Sequence, residues 1–165
     1  MPPEGQNIGE HIFQKYGSTP EQSAANREQI RARAAEVGFT IATTPESRIY
    51  NTFDAHRLLH WAGLEGRQLQ LKHALFEAYF TRGENPSDLD VLVVVAKHAG
   101  LAPRAARDVL TSGRFADEVR LSERQWREAG VNSVPAVIIN EKYLISGGQP
   151  AAAFERALRT IATET

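Results

Sequence analysis

Two histidines four residues apart are the first residues of this sequence that could do chemistry. His56 and His60 lie in a segment with helical periodicity, so both rings can share one helix face, and Asp54 is close in sequence. Imidazole nitrogens on one face can bind a metal ion. However, no His-Glu-x-x-His pair and no acidic cluster completes a ligand set. The sequence therefore favours hydrogen-bonded or half-exposed histidines beside Trp61 over a metal site, and we predict no metal.

The segment Ser133-Val134-Pro135 precedes a short apolar run, and its proline permits two interpretations. A cis Val134–Pro135 bond would leave Val134 extended, with its main-chain polar groups open to strand-like pairing with a substrate. A trans proline at the start of a strand, where its missing N–H is not needed, fits the same residues. Ser133 lies in no Gly-x-Ser-x-Gly elbow, and no phosphate-binding glycine motif occurs in the sequence.

Composition narrows the classes of function further. The sequence contains no cysteine, so it holds no thiolate for disulfide exchange, no disulfide and no cysteine-ligated metal. A net charge of -1 gives no electrostatic reason to bind nucleic acid or an anionic membrane. No apolar stretch reaches the roughly 20 residues of a membrane span. We therefore expect no cofactor, no nucleic acid or membrane as partner, and a cytoplasmic location.

The elements that must position these residues are mostly helices. Thr19-Pro20-Glu21-Gln22 has the pattern of a capped helix start, and Asn51 is the predicted cap of a later helix. Apolar residues at helical spacing predict six buried stripes: Ile30, Ala34, Val37; Leu58, Leu59, Ala62; Leu71, Ala74, Leu75, Ala78, Tyr79; Leu89, Leu92, Val93, Ala96; Ala106, Val109, Leu110; and Phe115, Val119, Ser122, Trp126. Aromatic residues among them, with Trp61, could line a peptide groove, but this spacing is more typical of a core.

The last third of the sequence has a different pattern. Residues 136–139 form a continuous apolar run, which predicts a strand covered on both faces. Asn140-Glu141 can turn the chain into a second strand over 143–145, and Pro150 begins a helix that buries Phe154, Leu158 and Ile161. A lone hairpin is marginally stable. The only other strand candidate is the weak patch at residues 39–41, so we expect a missing strand, or one supplied by a second copy.

The stretch from Asn51 to Trp61, the segment Leu75-Phe76-Glu77-Ala78-Tyr79-Phe80 and residues 130–150 together carry a family resemblance. The chain resembles the DsbA-like thioredoxin-fold family, and more narrowly the FrnE-like branch of bacterial dithiol-disulfide oxidoreductases. The resemblance implies an α/β thioredoxin-like fold, here an incomplete thioredoxin domain with a large helical insertion, mostly α in this chain. Residues 1–129 would be the insertion, and residues 130–165 the final strands and helix of the thioredoxin domain.

The same resemblance implies roles for individual residues. Val134-Pro135 matches the family's cis-proline loop, which packs opposite the dithiol and offers the residue before the proline to an extended substrate, with Ser133 beside it. His56, His60 and Trp61 would lie at the domain boundary or line the site. The family's Cys-x-x-Cys unit has no counterpart, because the sequence begins about where the family's second strand has ended.

Three functions follow as hypotheses. The leading one is the C-terminal portion of a protein disulfide oxidoreductase or isomerase that acts on protein or peptide thiols, separated from its dithiol segment and redox-inactive alone. The alternative is a redox-dead binding or assembly module that forms a homodimer through its exposed strand edge. The third is the 2-hydroxychromene-2-carboxylate isomerase branch, which needs glutathione and a serine on the absent segment, a role that Ser133 does not inherit.

Overall fold

The structure is a computed structural model that describes residue 2 and residues 4–164. The helices are α1 (Ile8–Tyr16), α2 (Pro20–Glu36), α3 (Phe53–Leu64), α4 (Gln68–Phe76), α5 (Leu89–His98), α6 (Pro103–Thr111), α7 (Ala116–Glu128) and α8 (Ala151–Thr163), with a π-helix over Glu77–Thr81. The strands are β1 (Gln6–Asn7), β2 (Arg48–Ile49), β3 (Ala136–Ile139) and β4 (Tyr143–Ser146). No helix in the described part of the chain is long and apolar enough to cross a membrane.

The chain divides into two compact units, the first ending at Val119 and the second beginning at Arg120. This division lies inside α7, ten residues before the predicted boundary at 129/130. The interpretation of the two parts as a helical insertion and the end of a thioredoxin domain stays a prediction.

Helices α3 to α6 build the core of the first unit. The largest fully buried side chains are Leu58, Leu71, Leu92, Val95 and Val109, one or more from each of these helices. The stripes predicted for α3, α5 and α6 are confirmed, because their apolar positions recur every three to four residues and meet in this one cluster. The stripe predicted for α4 is confirmed from Leu71 to Ala78, but Tyr79 belongs to the π-helix and lies outside the cluster.

The predicted capping box of α2 is confirmed, but its predicted buried face is wrong. Thr19 Oγ1 accepts a hydrogen bond from the N–H of Gln22 at 3.3 Å, and Gln22 Oε1 accepts one from the N–H of Thr19 at 2.9 Å. Ile30 and Val37, however, are exposed, and Ser23 is the buried residue of this helix. Ile30 and Ala34 alone do not make a continuous stripe in this strongly polar 17-residue helix, and Val37 lies one residue beyond its end.

Two other helix predictions differ in detail. Helix α3 begins at Phe53 rather than after Asn51, although Asn51 Oδ1 does accept a hydrogen bond from the N–H of Phe53 at 3.0 Å. In α7 only Val119 is buried, and Trp126 is exposed, so the predicted stripe and the core role of Trp126 are wrong. Phe115 precedes α7 and has a φ of 64°, so it does not belong to the face of this helix.

The first unit also contains a strand pair that the sequence pattern did not predict. β1 pairs antiparallel with β2, and Arg48 of β2 donates to the carbonyl oxygens of Glu4 at 2.6 Å and Gly5 at 2.8 Å. The patch at residues 39–41 forms no strand. Two-residue strands carry too little alternation to be recognised from a sequence.

The hairpin predicted for the second unit is confirmed. β3 and β4 pair antiparallel with Ala136 opposite Ser146 and Ile139 opposite Tyr143. Asn140 and Glu141 adopt φ values of 52° and 56°, and the N–H of Lys142 donates to the carbonyl oxygen of Ile139 at 3.2 Å. Positive φ at two successive turn residues matches the twist of the strands they join.

The burial predicted for this hairpin and for α8 is wrong within these 165 residues. Val137 of β3 and Leu158 of α8 are exposed, whereas Ile161 is buried as predicted. Within the described residues β3 pairs only with β4, so no strand pairs with its second edge. The apolar run at 136–139 is thus a buried-type strand sequence that is covered only in part, since Val137 is exposed and its other residues are half-buried.

Candidate functional site

The Val134–Pro135 loop is the first candidate site, and it lies in the second unit. The Val134–Pro135 peptide bond is cis, as the family resemblance implies, and Val134 is 86% exposed. The carbonyl oxygen of Pro135 accepts a hydrogen bond from the N–H of Gly147 at 2.8 Å. Ser133 Oγ lies 3.3 Å from Ser146 Oγ. These contacts join both sides of the proline to Ser146 at the end of β4 and to Gly147 that follows it, while Val134 itself is exposed to solvent.

The bond between Pro135 and Gly147 determines which way each residue of β3 faces. In an antiparallel pair, residues alternate between those that bond the partner strand and those that direct N–H and C=O away from it. With Pro135 bonded to β4, the next residue in the same orientation is Val137, and Val134, Ala136 and Ile138 direct their main-chain groups to the other side. Within the described part of the chain, no hydrogen bond uses the main chain of Val134. This edge can therefore accept an extended peptide or another strand.

Side-chain hydrogen bonds hold the hairpin to the rest of the second unit. Tyr143 Oη donates to Glu164 Oε2 at 2.6 Å, and Lys142 Nζ donates to the same phenol oxygen at 2.9 Å. Gln149 Nε2 donates to the carbonyl oxygen of Ser146 at 3.1 Å. The open edge of β3 thus belongs to a hairpin that is anchored at both ends of β4.

The structure does not bring His56, His60 and Trp61 into one site. His56 lines a groove in the first unit, whereas the His60 ring stacks on Phe115 with ring centres 5.1 Å apart. Trp61 is buried in the core, and its Nε1–H donates to Glu65 Oε1 at 3.1 Å. Among the described residues no group of three or more potential ligands could hold a metal ion.

The groove that His56 lines is the second candidate site, and phenylalanine and tyrosine side chains form one part of its wall. Phe76, Tyr79 and Phe80 all line this groove. For these three residues the groove, which the sequence analysis considered less typical than a core, is the observed environment. The rings of Tyr79 and Phe80 meet edge to face at 4.8 Å, and those of Phe76 and Phe80 at 6.0 Å. These residues come from α4 and the π-helix that continues it.

Tyr79 is fixed in this wall by its hydroxyl group. Tyr79 Oη donates to the carbonyl oxygen of Arg48 in β2 at 2.9 Å. Burial raises the pKa of Tyr79 above its ordinary value, and the neighbouring Tyr50 adds to the rise. The phenol therefore stays protonated and a donor at neutral pH.

Comparison with known proteins identifies the family to which this arrangement belongs. The model of the DSBA-like thioredoxin domain matches residues 2–159. The crystal structure of a probable DsbA oxidoreductase from Streptomyces coelicolor is 34% identical with a TM-score of 0.86, over 97% of this chain and 69% of that one. A candidate protein disulfide isomerase from Nitrosomonas europaea, 20% identical with a TM-score of 0.67 over 94% of this chain and 88% of that one, shares the fold.

A curated relative of Bacillus subtilis, the uncharacterized protein YwbO, is 26% identical over 100 residues. That match covers 60% of this chain and 50% of the relative, so the chain spans about half the length of the curated relative it matches. The predicted fold class is confirmed, as is the mostly helical character of this chain. The protein belongs to the DsbA-like thioredoxin-domain family.

Proposed function

We propose that this chain is the helical and substrate-binding part of a protein dithiol-disulfide oxidoreductase or isomerase of the FrnE-like branch. The observation that carries the proposal is the exposed Val134 just before β3, whose second edge pairs with no strand of the described residues. An extended substrate peptide could pair with the main chain of Val134, as added strands do at other sheet edges. Membership of the DsbA-like family supports protein thiols or disulfides as the substrate class.

The thiol chemistry of such a reaction must come from outside these residues, because the sequence has no cysteine. In the reducing direction, one thiolate of a dithiol attacks a substrate disulfide, which forms a mixed disulfide and releases one substrate thiolate. The second thiolate of the dithiol then attacks the mixed disulfide, releases the other substrate sulfur as a thiolate and leaves the dithiol oxidised. The role of Val134 and Pro135 is to hold the substrate strand while these exchanges occur.

Exposed apolar side chains in the second unit support a covering partner for this region. Val134, Val137, Leu144 and Leu158 are all exposed, and Ile161 is the buried hydrophobic residue there. A strand covered on both faces is typical of a sheet with layers on each side. A thioredoxin-like segment that carries the dithiol would supply both the missing strand and the missing cover.

Peptide binding observed by NMR tests the proposal. A cysteine-free extended peptide is titrated into the ¹⁵N-labelled protein, and we expect the largest shifts at the amides of Val134, Ala136 and Ile138, which face the open edge. The matched variant is Ala136→Pro, which removes an N–H that faces the open edge and should weaken binding while circular dichroism shows retained helix. Shifts that avoid this edge, or equal binding by the folded variant, would refute the substrate role.

The open edge of β3 also favours a second candidate, an assembly module in which two copies pair edge to edge. Unpaired N–H and C=O groups in a row are a template for another strand. The variant Ala136→Pro removes one outward N–H without touching a bond to β4, since Ala136 faces away from β4. Sedimentation should then show a wild-type dimer and a monomeric variant, and a monomeric wild type at high concentration would eliminate this candidate.

A further inference from the structure

The groove of the first unit has a lining of its own chemistry, and an inference from it is independent of the proposed function. It has a volume of about 340 Å³ and lies between β2, α3, α4 and the π-helix. Its apolar floor and walls include Ala55 and Leu75, which are buried, and Leu59, which is half-buried. A concave, mainly apolar volume of this size is typical of a small-molecule site.

The π-helix places the aromatic wall of this groove. Its wider turn is closed by a hydrogen bond from the N–H of Arg82 to the carbonyl oxygen of Glu77 at 3.0 Å. Single π-helical turns are rare and occur frequently at functional sites. Here the turn carries Tyr79 and Phe80, and the bond from Tyr79 to Arg48 holds the turn against β2.

The charged residue that lines the groove is a lysine. Lys72 and His56 line it together with the apolar residues, and none of its lining residues is acidic. Lys72 Nζ lies 5.7 Å from the centre of the Phe76 ring, and this ring is 41% exposed. The ammonium group is therefore held over a half-open aromatic ring, where it can meet an anionic group while the apolar remainder of a ligand enters the groove.

We propose that this groove binds an apolar monocarboxylate of medium chain length, with the alkyl chain against Leu59, Leu75 and Phe80 and the carboxylate at Lys72. The apolar lining supplies the binding energy by removing the alkyl chain from water. The ammonium group of Lys72 supplies the selectivity for an acid over an uncharged analogue. A dianionic or strongly polar ligand does not fit a lining with so few polar groups.

Isothermal titration with decanoate and decanol, both below their aggregation limits, tests this proposal. We expect saturable binding of decanoate, and about fivefold weaker binding in Lys72→Met, the most that an exposed ion pair contributes. Decanol should bind the wild type and Lys72→Met alike. The matched control is Lys97→Met, which removes an exposed lysine outside the groove and should leave decanoate binding unchanged.

A blocking variant keeps the test decisive. Leu59→Trp should fill the groove and abolish binding of both probes, and Phe76→Ala, at a partly exposed ring, serves where Leu59→Trp does not fold. No saturable binding of decanoate to the wild type overturns the proposal. The proposal is also overturned if Lys72→Met and Lys97→Met weaken decanoate binding equally, or if decanoate still binds to both Leu59→Trp and Phe76→Ala.

Discussion

Replacing Arg57 should destabilise the protein more than any replacement of an exposed arginine. Arg57 is 4% exposed, and its guanidinium donates to Asp54 Oδ1 at 2.7 Å and to the carbonyl oxygens of Arg114 at 2.8 Å, Leu110 at 3.2 Å and Val109. The last carbonyls of a helix have no partner within the helix. Arg57, on α3, therefore supplies the missing partners for the end of α6.

The size of the effect follows from these bonds. Each hydrogen bond to a charged group contributes about 1.5–3 kcal/mol, and removing one partner of a buried charged network typically costs about 3–5 kcal/mol. Arg57→Met keeps most of the side-chain volume but leaves the carbonyls of Val109 and Leu110 without this donor. We expect a loss of about 4 kcal/mol in the free energy of unfolding, or about 8–16 °C in Tm.

Arg31→Met is the matched control for this experiment. Arg31 also bonds a carboxylate, that of Glu28 at 2.7 Å, and two carbonyl oxygens, but its side chain is 44% exposed. Exposed ion pairs contribute about 0–1 kcal/mol, so this variant should unfold close to the wild type. Urea denaturation followed by circular dichroism measures both. If Arg57→Met lost no more stability than Arg31→Met, the argument that burial gives this arginine its importance would be wrong.

Three smaller predictions concern single residues. Glu141 has a positive φ, which costs a residue with a side chain about 1–2 kcal/mol. Glu141→Gly removes this cost and should slow amide hydrogen exchange in the hairpin, although glycine has more conformational freedom in the unfolded chain. The pKa of Tyr79 is raised in the folded protein, so its protonated phenol stabilises the fold. This contribution is complete below the unfolded pKa of about 10 and is lost as the pH rises through the folded pKa. Denaturation curves of Tyr79→Phe, measured at increasing pH, should lack this loss of stability. Thr19→Ala should cost about 1 kcal/mol of stability in thermal unfolding, since it removes the capping box of α2.

Much of the fold follows from local sequence signals. Helices α3 to α6 were predictable because stripes such as Leu58 and Ala62, or Val109 and Leu110, point into one shared cluster. The hairpin was predictable from an apolar run and the turn residues Asn140 and Glu141. In each case the residues that determine the element are close together in the sequence.

The remaining features depend on partners that local patterns do not identify. Burial of Ile30, Val37 and Trp126 was predicted from helical spacing, but no neighbour within the described residues covers them. The pairing of β1 with β2 joins residues more than 40 positions apart, and the bonds from Arg48 that secure it give no periodic signal. The bonds from Arg57 to α6 were missed for the same reason.

For the candidate sites, the sequence indicated the loop and gave a groove only as the less favoured interpretation of the aromatic residues. The residues of Val134-Pro135 left a cis and a trans bond open, and the family resemblance implied the cis bond that the structure has. The groove arises because a π-helix rotates Tyr79 and Phe80 away from the α4 stripe, and a regular helical period cannot predict that rotation. His56 lines the groove, whereas the His60 ring stacks on Phe115. A spacing of four residues on one helix therefore does not place the two histidines in one site.

Disulfide trapping at Val134 tests the substrate-binding role of the cis-proline loop most directly. The sequence has no cysteine, so Val134→Cys introduces a unique thiol, and Val37→Cys places one at a matched exposure of 81% in the first unit. Each variant is incubated with peptides that carry one activated cysteine at successive positions, and the cross-linked mass is measured. Strand pairing predicts a high yield for Val134→Cys at one or two peptide positions and a uniform yield for Val37→Cys. A uniform yield at both positions would contradict the proposed binding of an extended substrate beside Pro135.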